Sequence, residues 1–347
     1  MKRTCLTLLL AFITLSLFSC LSPTPKVHSD SSYYFFDTKS EIFSYAGDSE
    51  ASFKENSDLA FSLLCEYHGL FDIYNESYGT NNLATVNRLA GIEAVEVDRK
   101  IIDFLLYAKE IHELTSGEVN IAMGAVTRLW HDARVESLEG KVEPYIPGEE
   151  ELREAEKHTS IDLLVIDEES STVYLSDSEA SLDVGALAKG YVAERVAEAL
   201  TERGVTSYAL NFGGNLRIIG KKPSGEGWVV GVTNPDTKSP DPFVTRVNIS
   251  DTSLVTSGNY ERFYTVGGVN YHHIIDKDTL MPSAYFSSVS VMTEDSALGD
   301  ALSTALFSMP YEEGRALAER LSVDVFWVDL EYRTYSTEGF DTAESEK

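Results

Sequence analysis

Between residues 205 and 293 the chain offers one short strand candidate after another. "SYALNFGGNLRIIG" reads as strand, glycine turn, strand, and "GWVVGVTNP", "TRVNISDTSLVTSG", "ERFYTVGGVNYHHIID" and "SSVSVMT" continue the run. Strands spaced so closely are joined as hairpins, because a parallel pair would need a long crossover. Helical patterns lie on both sides. Residues 51–73 read as one helix, and residues 98–115 as an amphipathic one with Asp98 at the N-cap and Ile101, Ile102, Leu105, Leu106, Ile111 and Leu114 on a broad face. Residues 187–203 form a third, ending at Gly204, and "SALGDALSTALFSMP" and "EEGRALAERL" two more. Hairpins and helices without a regular βαβ rhythm predict an α+β fold.

The remaining segments fill in around this frame. "SSYYFFDTKSEIFSYAG" suggests a first strand, "DLLVID" and "TVYLS" pair around the turn "EESS", and "VDVFWVDL" closes as a strand. The charged stretch 135–158, with Pro144 and Pro147, is a surface excursion. The polar residues after 335 read as a frayed tail.

The N-terminus, "MKRTCLTLLLAFITLSLFSCLSPTPK", has a basic start and an apolar run too short for a comfortable membrane span. Residues 1–19 therefore read as a signal peptide. "LFSC" resembles a relaxed lipobox, which makes Cys20 the lipid-bearing first residue; cleavage by an ordinary signal peptidase stays open. Residues 20–32 would then tether the fold, with the main domain over 33–335 and the tail over 336–347. Either route puts the body outside the cytoplasm. Cys65 is left without a partner and sits among leucines at helical spacing, so a buried thiol is expected.

Charge excludes one class of partner. With 56 acidic against 28 basic residues the chain carries −28, which repels nucleic acid and gives no broad adhesion to anionic lipid. An anionic small molecule needs local donors or a metal.

Four short segments carry chemistry. In "SLDVGALAKGYVAERV" a bare turn opens a helix, and the free N–H groups of such a terminus attract phosphate, with Lys189 one turn in. "NFGGNL" is a second bare turn, where Gly213 and Gly214 admit a positive φ or a close ligand. In "HHIIDKD" neighbouring histidines on a strand point to opposite faces, so one of them can enter a site, and His273 is a candidate base. "GDALSTALF" sets Asp300 and Thr304 four residues apart on one helical face, oxygen donors suited to Mg²⁺ but too few by themselves, so that a third must come from elsewhere, for example a backbone carbonyl. Each has a plain structural alternative, and none is specific alone.

Their order is specific. "LDVGALAKGY", "NFGGNLRIIG", "LVTSGNYERFY", "HHIIDKDTLMPS" and "GDALSTALF", preceded by "DIYNESYGTNNLATVN" and "GEVNIAMGAVTRLWHDA", resemble the ApbE family of FAD:protein FMN transferases over about residues 33–330. The resemblance implies an ApbE-like, T-fold-related α+β architecture and transfer of FMN from FAD to a Thr or Ser of another protein. It implies FAD contacts from Asp183 and Lys189, and a pocket lined by Tyr74, Ala122, Met123, Gly124, Ser257, Gly258, His273 and Ile274. It implies Mg²⁺ held by the Ala186 carbonyl, Asp300 and Thr304, with His273 and Asp183 in catalytic roles. The acceptors it implies are extracytoplasmic flavin-bearing subunits of Rnf-type or sodium-pumping quinone reductases. Two other readings share the residues: a Mg²⁺-dependent FAD pyrophosphatase in which water attacks, and a lipid-anchored protein that binds FAD without turnover.

The sequence departs from the family pattern at two turns. Gly185-Ala186 stands where the family has Gly-Gly, and "DKDTL", Asp276 to Leu280, where it has "D-P-R-T-G". The turn after His273 is thus expected to be shaped differently. Asn120, where the family often has Asp, is given no role.

Overall fold

The structure, a computed structural model, describes residues 27–45 and 48–342. The signal segment 1–19, Cys20 and the tether up to residue 26 lie outside the described residues. The chain opens with β1 (Val27–Ser32), β2 (Ser40–Tyr45), α1 (Glu50–Phe71), α2 (Leu83–Arg88), β3 (Val95–Glu96) and α3 (Arg99–Leu114). Next come α4 (Gly124–Leu138), α5 (Glu149–Glu156), β4 (Leu164–Asp167), β5 (Thr172–Leu175) and α6 (Ala188–Glu202). The strand-rich half holds β6 (Ser207–Phe212), β7 (Asn215–Gly220), β8 (Trp228–Thr233), β9 (Phe243–Ile249), β10 (Ser253–Gly258), β11 (Phe263–Val266), β12 (Val269–His272) and β13 (Phe286–Thr293). It ends with α7 (Ser296–Phe307), α8 (Tyr311–Leu321), β14 (Asp324–Asp329), β15 (Thr334–Ser336) and α9 (Glu338–Thr342).

Eight strands form one antiparallel sheet in the order β1-β2-β6-β7-β10-β13-β14-β15. Hairpin turns explain part of this order. Gly213 and Gly214, both at positive φ, close β6 onto β7, as Gly267 and Gly268 close β11 onto β12. One face of the sheet is covered by helices, whose apolar sides meet Leu210, Phe212, Val289 and Val291 in the main core. The other face is covered by the β8–β9 hairpin and α9, around Trp228, Val247, Phe326 and Phe340. A third apolar cluster, with Trp130, Tyr264 and Leu280, adjoins the cleft described below. The fold is α+β, as the hairpin-and-helix pattern predicts.

Three expectations are corrected. Residues 27–32, read as tether, are strand β1, registered against β2 from Val27–Tyr45 to Ser32–Ser40. Backbone pairing needs no apolar side chains, so a polar sequence conceals it. The residues after 335 are not a frayed tail up to 342: Phe340 is fully buried and stacks on Phe326, with centroids 5.2 Å apart. Cys65 is exposed. The buried stripe of α1 runs through Phe53, Ala60, Leu64, Tyr67 and Phe71, and Cys65 stands about 100° round the helix from Leu64.

Helices α6 and α7 cross in contact, and the sequence pays attention to the crossing. A Cβ on Gly190 would lie 2.3 Å from Ser296 O and 2.4 Å from Asp300 Cβ, so only glycine fits. Glu194 of α6 accepts the Ser296 N–H at the start of α7 at 2.7 Å and is ion-paired to Arg217 of β7 at 3.0 Å. The two helices and the sheet are thereby locked in one arrangement.

Candidate functional site

A cleft of about 640 Å³ lies where the start of α6, the middle of α7, the end of β10 and the loops after α1 and β12 meet. It brings together Tyr74, Met123, Asp183, Ala186, Lys189, Ser257, Gly258, His273, Ile274, Asp300 and Thr304. These residues span 230 positions of sequence, from Tyr74 to Thr304, and every one was named from the sequence. Two expected neighbours stand elsewhere. Ala122 is buried, and Gly124 sits in the joint where α4 begins, where a Cβ would lie 2.2 Å from Ser181 O. Neither borders the cleft. Their segment runs alongside residues 181–183, with a parallel bridge between Met123 and Ser181 and a bond from Asp183 N to Ile121 O at 2.8 Å.

That joint positions Asp183. Its Oδ1 accepts the Gly185 N–H at 2.9 Å and its Oδ2 accepts the Thr127 hydroxyl at 2.7 Å. The carboxylate therefore shapes the bare turn and faces the cleft with its orientation fixed at both oxygens. Lys189 Nζ donates to Gly185 O at 3.2 Å and lies 3.9 Å from Asp300 Oδ2.

Asp300 is 4% exposed. Its Oδ2 accepts the N–H of Gly190 at 2.7 Å, one of the unpaired donors of the α6 N-terminus. Burial pushes its pKa up, and Lys189, the Gly190 N–H and Asn215 oppose this without cancelling it. Thr304 follows on the next turn of α7, with Ser257 Oγ 3.4 Å from its hydroxyl and 2.9 Å from Ser303 Oγ. Asn215, buried beside Asp300 and lining the cleft, has an Oδ1 with no hydrogen-bond partner. Among the described residues no three His, Cys, Asp or Glu side chains converge as a metal cluster. The oxygen atoms gathered here are a carboxylate, a hydroxyl and an orphaned amide oxygen, a donor set that fits a hard divalent cation.

The two histidines divide as strand geometry predicts. His272 is buried, and its Nε2 lies 2.9 Å from Ser283 O, so that nitrogen carries the proton. His273 turns into the cleft. Crowding by the cleft walls, then Arg262, Lys189 and His272, push its pKa down to about 3. The imidazole is neutral at pH 7 and free to accept a proton. The departing turn is shaped by Asp276, whose Oδ1 accepts the Asp278 and Thr279 N–H groups, each at 2.9 Å. Leu280, in the place of the family's glycine, adopts φ 59° and is held by burial and by Trp130, whose indole N–H donates to Leu280 O at 2.9 Å.

Several cleft residues escaped sequence reading. Arg262 donates to the carbonyls of Phe36 and Asp37 at 3.1 and 3.3 Å, two consecutive residues at left-handed φ. His131 and Arg134 project from α4. Their spacing of three residues was the available signal, but nothing in the sequence shows which side of α4 meets a ligand.

The sequence matches the ApbE family over residues 36–327. It is 29% identical over 270 residues to the FAD:protein FMN transferase of Klebsiella pneumoniae, covering 77% of this chain and 80% of that one. It is 32% identical over 272 residues to the protein of the same name from Treponema pallidum, covering 74% of this chain and 73% of that one. The crystal structure of the ApbE protein of Thermotoga maritima superposes with a TM-score of 0.80 at 26% identity, covering 92% of this chain and all of that one. The sequence match spans both walls of the cleft and the sheet that carries them, and the chain belongs to the ApbE family.

Proposed function

We infer that this chain is an FAD:protein FMN transferase, which joins FMN through a phosphodiester to a Thr or Ser hydroxyl of an acceptor protein and releases AMP. The observation that carries this reading is the convergence of Lys189, His273, Asp300 and Thr304 on one cleft in a chain of net charge −28. Such a surface binds a dinucleotide only where donors are concentrated.

Asp300, Thr304 and the Ala186 carbonyl would hold Mg²⁺. When bound, that ion supplies charge neutralisation at the pyrophosphate oxygens. Lys189 adds a fixed positive charge at the same end of the cleft. Asp183, oriented by Thr127 and the Gly185 N–H, takes donor groups of FAD. The acceptor hydroxyl oxygen attacks the FMN-side phosphorus. A new P–O bond forms, the bond to the AMP phosphate breaks, and the hydroxyl proton passes to His273. The negative pyrophosphate offsets Arg262 and Lys189, which raises the His273 pKa toward a useful range as substrate enters.

The N-terminal sequence supports a place outside the cytoplasm, with the chain tied to a bacterial membrane through lipid on Cys20 alone. Flavin-bearing subunits of Rnf-type or sodium-pumping quinone reductases suit this location as acceptors.

The test uses the soluble chain beginning after Cys20, with FAD, Mg²⁺ and a flavoprotein fragment carrying an acceptor threonine. In-gel flavin fluorescence on the fragment together with AMP release, both lost in Asp300→Ala, is the expected result. AMP and free FMN without labelling of any fragment would replace the transferase with a pyrophosphatase. FAD binding with no AMP would leave a flavin-binding lipoprotein.

A further inference from the structure

Tyr74 stands in the cleft with 57% of its surface exposed, yet it is held from several sides. Asp72 Oδ1 accepts the Tyr74 N–H at 2.8 Å and fixes the backbone. Behind the ring lies His131, with centroids 4.7 Å apart and planes within 25°. The Tyr74 hydroxyl is 3.2 Å from His131 Nδ1, and Arg134 Nη2 is 3.5 Å from the same nitrogen.

These contacts define the state of His131. A guanidinium has donors and no acceptor, so Nδ1 must accept and the proton of the neutral ring sits on Nε2. Burial, then Arg134, hold the His131 pKa below its usual range, which keeps Nδ1 an acceptor at neutral pH. In that tautomer the Tyr74 hydroxyl, 3.2 Å away, shares the Nδ1 acceptor with Arg134. His131 and Arg134 come from one face of α4. His131 covers one side of the phenol ring, and 57% of the Tyr74 surface stays exposed.

Arg134 adds a polar edge to this platform. Among the described residues no carboxylate pairs with it; burial and Arg262 lower its pKa, opposed only by Tyr74 and Asp37. A cleft-lining guanidinium in so acidic a chain has donors to spare. Those donors match a ring edge that presents carbonyl oxygens. Isoalloxazine has such an edge, and adenine has no carbonyl at all.

We propose that His131 and Arg134 are positioning residues for the flavin ring: His131 backs Tyr74 as a stacking platform, and Arg134 takes the carbonyl edge of the isoalloxazine. This rests on the flavin-transfer reading of the same cleft and deepens it. Neither residue touches the reacting phosphorus.

The experiment measures binding of FAD, FMN and ADP to the soluble chain, by flavin fluorescence for the first two and calorimetry for the third. His131→Ala should weaken FAD and FMN about three- to tenfold, the range expected for one aromatic pair, and leave ADP unchanged. His131→Phe should recover most of the loss, because it restores the stack, and His131→Asn should not. Arg134→Met should weaken FMN. In turnover, His131→Ala should raise the KM for FAD with little change in kcat. FMN binding indifferent to residue 131, or equal weakening of ADP and FMN, would overturn the proposal. The Phe–Asn contrast carries the test if the alanine variant fails to fold. His131-dependent FMN binding in a protein that never labels an acceptor would keep the proposal and remove the transferase reading; labelling with His131-independent binding would do the reverse.

Discussion

The N–H of Gly190 in α6 donates to Asp300 Oδ2 in α7 at 2.7 Å. One carboxylate thus closes the N-terminus of one helix from the second turn of the next, at the cleft wall where the cation donors gather. The contact exists because Gly190 has no side chain: the helices approach until a Cβ would overlap Ser296 O.

Gly190→Ala should therefore damage both the fold and the site. The added methyl must push α7 away, with a cost of about 1–3 kcal/mol or more for overpacking. Thermal unfolding should show a lower Tm, and flavin labelling should fall further than the loss of folded protein explains. A Tm equal to wild type would show that the crossing is looser than the geometry implies.

Asp300→Asn separates stability from activity. The folded-state pKa of Asp300 is raised, so its ionised form is disfavoured by folding and its stability contribution declines as pH rises through that value. Removing the charge while keeping an acceptor for Gly190 should leave the metal-free Tm at pH 8 equal to wild type or higher. Labelling should drop by at least about a hundredfold, and any rise in Tm on adding Mg²⁺ should vanish. A variant that is strongly destabilised without metal would contradict this account.

His273 sets a pH expectation. Its pKa in the free chain is pushed down to about 3, so the neutral base persists as pH falls through the ordinary histidine range. kcat/KM for FAD should show no protonation step near 6.5 from this residue, with folded fraction checked in parallel. Arg262→Met removes one cation that holds the pKa down, so the acid limb should move to higher pH. His273→Ala should lose about 10²–10⁴ of kcat. An acid limb centred near 6.5 in the wild type, abolished in His273→Ala, would contradict the low value.

Phe340→Ala tests the C-terminal correction. The ring is fully buried against Phe326 in the second core, so truncation should cost about 3–5 kcal/mol, read as a lower denaturation midpoint. The cleft is on the helix-covered side of the sheet, so the folded fraction should keep its affinity for FAD. A neutral result would return these residues to a loose tail.

By itself, the sequence determined most of the element types and much of the cleft's membership. Helix periodicity with the Asp98 cap placed α3, the Gly213-Gly214 pair placed the β6–β7 turn, and ordered motifs named many of the residues from Tyr74 to Thr304 that line the cleft. These are local signals, written in spacing and residue type. Tertiary structure alone decided the rest. The polar strand β1 is held by backbone bonds to β2, and the exposure of Cys65 depends on which stripe of α1 meets the sheet. Ala122 and Gly124 leave the cleft because the start of α4 packs on Ser181, and His131 and Arg134 enter it because α4 turns that face to Tyr74. The physical reason is that a partner in space decides each of these: a backbone pairing leaves no mark in a polar sequence, and which face of a helix is buried is set by residues distant along the chain.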